Sequence, residues 1–278
     1  RIFPAFYLFI ITLFTLGFFI ETNTTPKQLF MAAVYWFNHT PRSEYNSILD
    51  HTWSLAVEEH FYIIWPLIFV VLTKIKARGS SIAVVLIMMI YSLQVLQNYL
   101  YAETDLDLTY RLHWRTSSAA IYLLSGCLGA SFIHSKYWGK FNNLPTISIV
   151  LSIVFVMGFG VDFWFEGDER VSKYCRIAGV LSAILWVYIN QESKTVAVLE
   201  YAPIKYIGTV SYGIYLWHFP IISYSKYTNV LNYSYQKWLI IIFTIILSYL
   251  SYILIENPIR KKKILSFKKI IIIFSSLS

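Results

Sequence analysis

The chain has 278 residues, of which 57% are hydrophobic and only 14% charged, with a mean hydropathy of +0.55. Soluble domains carry roughly 25% charged residues, so these proportions exclude a single soluble core. The net charge of +8 has no basic face on a soluble module to accompany it, and nucleic-acid binding is excluded on that ground.

In chain order, apolar runs lie near residues 2–20, 53–73, 82–101, 116–134, 144–165, 175–190, 207–225 and 236–255. Each is long enough, or nearly so, to cross the roughly 30 Å hydrocarbon layer as a helix of about 20 residues. WLIIIFTIILSYLSYILI, residues 238–255, is the clearest and carries no charge. The run at 175–190 is the weakest, being short with Arg176 at its edge. A helix satisfies its own backbone N–H and C=O groups, which lipid cannot. A barrel needs alternating ten-residue strands, and these runs do not alternate. The sequence therefore predicts an all-α, polytopic transmembrane bundle with about eight membrane helices. If Arg1 is cytoplasmic, the inner segments hold more than half of the 23 basic residues. RKKK at 260–263 is the strongest anchor of that orientation.

Cys127 and Cys175 form neither a disulfide framework nor a metal-ligand cluster, and no metal is expected. Cys127 reads as a packing residue inside an apolar helix. The chain shows no cleavable signal peptide and no internal repeat. Arg1 leads straight into an apolar segment without an initiator Met, and KKIIIIFSSLS at 268–278 begins a further hydrophobic run. The chain thus reads as a piece of a longer protein. Its membrane domain covers residues 1–263, and residues 264–278 start another hydrophobic segment or a linker.

Four polar constellations interrupt the apolar pattern. In HTWSLAVEEHFYIIWP (51–66), Glu58 shares a helix face with Ser54, Tyr62 and Trp65, whereas Glu59 shares one with Leu55, Ile63 and Pro66. Only one of the two carboxylates can point squarely into a polar cleft, and the stripe favours Glu58. The alternative is a solvated acidic pair at an interfacial helix start. In RLHWRTSSAAIYLLSG (111–126), Arg111, His113 and Arg115 precede a membrane helix. They balance Glu58 or bind an acceptor, or Arg115 simply snorkels to the headgroups. In VSYGIYLWHFP (210–220), Ser211, Tyr212 and His218 share one segment, with Gly213 allowing close helix approach. A hydrogen bond to a neighbouring helix is the plainer reading of His218. In IENPIRKKK (255–263), Pro258 is expected to end the last helix, and Glu256 and Arg260 to pair at i, i+4. The long connection at 21–50 is expected to be more than a passive link. Spacing leaves two functional classes open: an enzyme, or a multi-pass transporter or flippase whose path is lined by Glu58, Arg115 and His218.

These strings, in this order, resemble the acyltransferase-3 family of integral membrane acyltransferases, the group of the O-antigen and peptidoglycan O-acetyltransferases. RIFPAFY (1–7) is similar to the end of the family's Arg-x-x-Arg segment. HTWSLAVEEHFYIIWP is similar to its most recognisable string, and HWRTSSAAIYLLSGCLGA to its arginine-bearing helix. SYGIYLWHFPI and IENPIRK match the late Ser-Tyr-Gly and Glu-x-Pro-x-Arg signatures. Two positions depart from the pattern: His60 stands where Gln or another non-titrating residue is usual, and Ser117 where many members have Asp.

The resemblance implies a multi-pass protein of the cell (plasma or inner) membrane. It would move an acyl group, most often acetyl, from cytoplasmic acyl-CoA (acetyl-CoA) to a hydroxyl of an extracytoplasmic glycan or glycolipid. Its partners would be membrane lipid, that acceptor, and a fused or separate SGNH-type domain. The family has about ten membrane helices, and its catalytic histidine belongs to an Arg-x10-His motif on the first, which these 278 residues do not include; the chain alone is therefore expected to be inactive. By the same resemblance Glu58 would orient that imidazole and stabilise its cation. Arg115, Ser211 and Tyr212 would position the acceptor or donate to the oxyanion. Arg1, and more weakly Arg260, would bind donor phosphate. Trp53, Tyr62 and His218 would contact the acceptor.

Overall fold

A computed structural model of the chain describes residues 2–20, 22, 24–40, 47–74, 79–101, 114–135, 137–142, 146–164, 169–228 and 234–261. Among these residues every regular element is helical. In chain order they are α1 (Ile2–Leu16), α2 (Pro26–Ala33), a 3₁₀ turn (Phe37–His39), α3 (Thr52–Lys74), α4 (Gly79–Tyr101), α5 (Thr116–Ile133) and α6 (Trp138–Asn142). There follow α7 (Ile147–Trp164), α8 (Glu169–Ile189), α9 (Lys194–Ala197), a 3₁₀ turn (Val198–Glu200), α10 (Ala202–Tyr227), α11 (Ser234–Ser251), a π-helical turn (Tyr252–Glu256) and α12 (Asn257–Arg260).

The eight apolar runs correspond to α1, α3, α4, α5, α7, α8, α10 and α11. Four stretches are both long and apolar enough to span a bilayer: Thr52–Lys74, Thr116–Ile133, Val171–Ile189 and Gln236–Ile259. Shorter apolar stretches occupy α1, α4 and α7. The run expected to be weakest is among the four, because α8 starts at Glu169 and not at 175. Ser172 and Lys173 fall inside the helix and are buried there, so polarity misplaced the boundary. Conversely, α10 is 26 residues long, yet its lysines, tyrosines and His218 make it less apolar than these four.

The chain divides into two compact units, residues 1–52 with 201–278, and residues 53–200. In the first, Phe6 and Phe9 of α1 are fully buried, and the Tyr35 ring stacks on Phe6 at 4.6 Å. Part of the connection at 21–50 is built structure. Thr25 caps α2 in a capping box with Gln28, with Pro26 in the first turn. At the other end Tyr35 adopts φ 54. Its N–H donates to the Ala32 carbonyl and that of Trp36 to Met31, the pattern of a Schellman motif, usually closed by glycine. Packing of the Tyr35 ring on Phe6 offsets the left-handed backbone.

Helix α10 meets α11 at Gly213, where a Cβ would lie 3.1 Å from Ser248 Cβ. The sequence anticipated this close approach. Thr244 and Ser248, one turn apart and buried, bond back to the carbonyls of Ile240 and Thr244. Small residues let helices approach in lipid, and back-bonding answers these two hydroxyls. Pro258 does not end the chain's last helix as expected. The Asn257 N–H instead reaches back to the Tyr252 carbonyl, an i→i−5 bond. This π-turn widens the helix just before Pro258, whose ring would otherwise press on a regular α-helical turn. Four more helical residues follow.

In the second unit α7 packs against α8 at two facing glycines. A Cβ on Gly158 would lie 2.6 Å from the Cys175 carbonyl oxygen and 2.7 Å from Gly179 Cα. Both contacts are backbone, so neither can swing aside. At the far end of this pair, Asn190 Nδ2 donates to Ser148 Oγ at 3.1 Å. Gly158→Val should therefore destabilise the protein by about 1–3 kcal/mol. Gly139→Ala, whose Cβ meets nothing within 4 Å, should be neutral in the same thermal-unfolding measurement in detergent.

Candidate functional site

Polar side chains gather in two clusters, one in each unit. In the second unit the cluster follows α3, α5 and α8. Pro66 inside α3 has no N–H, so the Tyr62 carbonyl one turn earlier lacks its helical donor. On the α3 face that carries Trp53 and His60, Trp53 lies 6.4 Å from Trp114, ring centroid to centroid. One N-terminal turn of α5 further on, His60 Nδ1 and Thr116 Oγ1 are 2.8 Å apart. His60, one of the two departures from the family pattern, thus ties α3 to α5.

Arg115 is the N-cap of α5 with extended backbone, and its carbonyl accepts from Ser118 and Ala119. The Ser118 carbonyl in turn accepts from Lys173 Nζ of α8 at 3.0 Å. Lys173 is fully buried and lies 5.7 Å from the centre of the Tyr122 ring. Lys173 thus brings its ammonium to the first turn of α5, which Arg115 opens and where the helix dipole is already positive. That arrangement suits a carboxylate, a phosphate or a developing oxyanion.

Glu58 is half-buried, with Tyr62 half-exposed one turn on and Trp65 half-buried. Glu59 is the more buried carboxylate, 9% exposed, because it shares a face with buried Leu55. The polar stripe read from the sequence is present on the Glu58 side, but burial alone would have selected Glu59.

In the first unit the cluster centres on His51, which directly precedes α3 and is buried. Its ring stacks on Phe219 at 5.0 Å, with Tyr215 at 5.4 Å, and Phe9 and His218 each at 5.8 Å. Tyr215 Oη donates to the His51 carbonyl at 2.8 Å. Pro220 inside α10 leaves the Leu216 carbonyl without its helical donor, and the His51 imidazole faces that backbone group. Burial, assisted by repulsion from His218, lowers the His51 pKa from 6.5 to about 3, against the raising effect of the Leu216 carbonyl.

The residues that the sequence singles out in this unit fare differently. His218 Nδ1 lies 2.8 Å from the Tyr215 carbonyl of its own helix, and among the described residues it makes no hydrogen bond to a neighbouring helix. A protonated Nδ1 leaves Nε2 as the acceptor in the neutral ring. Ser211 is exposed, and its hydroxyl donates to the Gly208 carbonyl. Tyr212 is half-buried. Arg1, Arg111, His113 and the Arg260 side chain lie outside the described residues, while Glu256 is buried in the π-turn. Cys127 and Cys175 are free and half-buried. Among the described residues no group of three or more metal-ligating side chains occurs.

Sequence reasoning passed over His51 and Lys173. The signal available for Lys173 was a lysine two residues ahead of the apolar run that starts at 175. For His51 no periodic signal exists, since it stands one residue before the helix.

Because folded His51 stays neutral while an unfolded histidine takes a proton below about 6.5, its contribution to stability is complete above that pH. It falls by up to about 1.4 kcal/mol per pH unit from 6.5 down toward 3. His51→Phe should flatten that part of the acid slope of thermal unfolding, and Tyr215→Phe should cost about 1 kcal/mol at neutral pH while leaving the slope in place.

Comparison with known proteins gives one family. Residues 1–256 match the family model described as an acyltransferase domain. The chain is 30% identical over 291 residues to the "Putative peptidoglycan O-acetyltransferase YrhL" of Bacillus subtilis (strain 168), which covers 97% of this chain and 45% of that protein. It is 28% identical over 299 residues to the peptidoglycan O-acetyltransferase OatA of Listeria monocytogenes, covering 97% of this chain and 46% of the relative. It is also 28% identical over 289 residues to the O-acetyltransferase OatA of Staphylococcus aureus, covering 96% and 47%. The chain thus spans about half the length of the curated relatives it matches. No solved structure matches it.

Proposed function

Because the chain belongs to the acyltransferase-domain family, we propose that it is the membrane part of an O-acetyltransferase that acetylates peptidoglycan or a related envelope glycan. It acts from the cell membrane, with acetyl-CoA as cytoplasmic donor and the glycan hydroxyl on the opposite side. The observation that carries this reading is the match through residues 1–256 together with relatives named for O-acetyl transfer.

In the proposed reaction the acceptor oxygen forms a bond to the acetyl carbonyl carbon and the thioester C–S bond breaks. The acceptor proton passes to an imidazole base that the family pattern supplies, and coenzyme A leaves as its thiol. Glu58 orients that imidazole and stabilises its cation. Arg115, at the positive end of α5, is assigned to the oxyanion, with Tyr212 and Ser211 aligning the acceptor. Ser211 has the weakest support, because its hydroxyl is spent on its own helix. Trp53, Tyr62 and His218 are assigned to the acceptor, and Arg1 and Arg260 to the donor's phosphates.

A fused or separate SGNH-type partner is part of this proposal, in keeping with relatives about twice the length of this chain. The buried Lys173 and the His60–Thr116 pair support Arg115 by fixing the first turn of α5 between α3 and α8.

In cells carrying the protein at its natural locus, Glu58→Gln should lower base-releasable acetate on purified glycan about a hundredfold or more with protein level unchanged. Wild-type acetate content in that strain would remove Glu58 from the mechanism, and unchanged acetate in a deletion strain would remove the activity itself.

A further inference from the structure

In the first unit the chain that follows α1 turns back along that helix. Helical bonding runs past Leu16, with the Ile20 N–H donating to the Leu16 carbonyl at 2.9 Å. A hollow at this end of α1 is lined by Leu13, Gly17 and Phe18 together with Thr24, Pro26 and Leu29. At the far end of α2, Tyr7 Oη donates to the Ala33 carbonyl at 3.2 Å. Two residues on, the Tyr35 ring lies 4.6 Å from that of Phe6 and 5.7 Å from that of Phe3. Helix α2 therefore descends antiparallel to α1, from the level of Gly17 to that of Phe6. Gly17 and Phe6 are eleven residues apart, roughly 16 Å of helix rise, which is about half of the hydrocarbon layer. The chain also comes back. Ser47 Oγ is 3.0 Å from Thr24 Oγ1, so the excursion begins and ends at the same end of α1.

The backbone of this excursion is finished as hydrocarbon requires. The end of a helix leaves carbonyls without helical donors, and in lipid only the protein can answer them. Each carbonyl of the last turn of α2 has such a donor: the Val34 N–H for Phe30, that of Trp36 for Met31, that of Tyr35 for Ala32, and Tyr7 Oη for Ala33. Past the helix, the His39 and Thr40 N–H groups donate to the Trp36 and Phe37 carbonyls. Residues 28–38 carry no charge, and Asn38 and Thr40 are fully buried. The outward face is apolar and open: Phe30 is 65% exposed, and Val34 and Trp36 are each 48% exposed. Ile11 and Phe14 of the adjoining α1 are exposed in the same way.

We infer that α2 is membrane-embedded: it re-enters the bilayer beside α1 without crossing it, and Phe30, Val34 and Trp36 face the acyl chains of bulk lipid. Phe30, between the Leu29 and Ala33 contacts, falls near the middle of the apolar run 2–20. A glycan or a soluble domain has no access to that depth, so lipid is the occupant of this face. The inference requires α1 to be a membrane helix. It uses none of the residues assigned to acetyl transfer and stands or falls apart from that reading.

The test is a depth measurement by electron paramagnetic resonance on the full-length protein in phosphatidylcholine proteoliposomes. A nitroxide is placed on a single cysteine in a background whose other cysteines are replaced. Phe30→Cys and Val34→Cys carry it on the inferred lipid face. Tyr227→Cys carries it in the last turn of α10, at an exposed position lining the same hollow as Thr24. Oxygen concentrates in hydrocarbon, whereas a water-soluble nickel chelate stays outside it. The ratio of oxygen to nickel collisions should exceed one at 30 and at 34, and should be higher at 30 than at 227. Both native side chains are exposed, so neither substitution opens the core, and position 34 decides if the variant at 30 does not fold. A ratio below one at both positions would put α2 outside the membrane. Labels immobilised and reached by neither agent would put a protein surface over the face. Either result overturns the inference.

Discussion

A polar side chain inside an apolar helix has to find its partner within the protein, because lipid supplies none. This chain meets that constraint in two ways. Hydroxyls bond back to their own helix, as Ser125 does to Ile121 and Ser248 to Thr244. Other groups cross to a neighbouring helix: Lys173 to the Ser118 carbonyl, His60 to Thr116, Asn190 to Ser148. The first kind keeps a helix smooth enough to pack closely, as α11 does on Gly213. The second kind fixes helices to one another at chosen heights. Interhelical polar contacts of this sort are worth about 0.6 kcal/mol on average in membranes, so they contribute register more than bulk stability.

That division shapes the candidate chemistry. Arg115 caps α5 at the level where His60 and Lys173 hold the same turn from α3 and α8. The backbone that carries Arg115 is thus held in register from two neighbouring helices. In the other unit, Pro220 breaks the α10 ladder where His51 packs, and the aromatic rings of Phe9, Tyr215 and Phe219 close around that histidine.

Much of the fold was legible in the sequence, for a plain reason: lipid demands long apolar runs, and all eight expected runs are helices. Gly213 was legible too, since a glycine inside an apolar helix allows close helix approach. The boundary of α8 was not, because Lys173 looks like an interfacial charge until α5 supplies its carbonyl. Pro258 misled for a similar reason, as a π-turn cannot be read from composition. The choice between Glu58 and Glu59 rested on stripe polarity, which periodicity gives, whereas burial depends on neighbouring helices, which it does not. His51 was illegible because a single histidine ahead of a helix carries no pattern, and only the partners brought by α1 and α10 give it an environment. The family resemblance was carried by strings of residues in order, independent of all this packing.

The account treats these helices as the route by which acetyl groups reach an envelope glycan. Inside-out membrane vesicles given acetyl-CoA labelled in its acetyl group measure this directly. The account predicts protein-dependent, alkali-labile label on glycan within the vesicle lumen. Label no higher than in vesicles from a strain lacking the protein would contradict it.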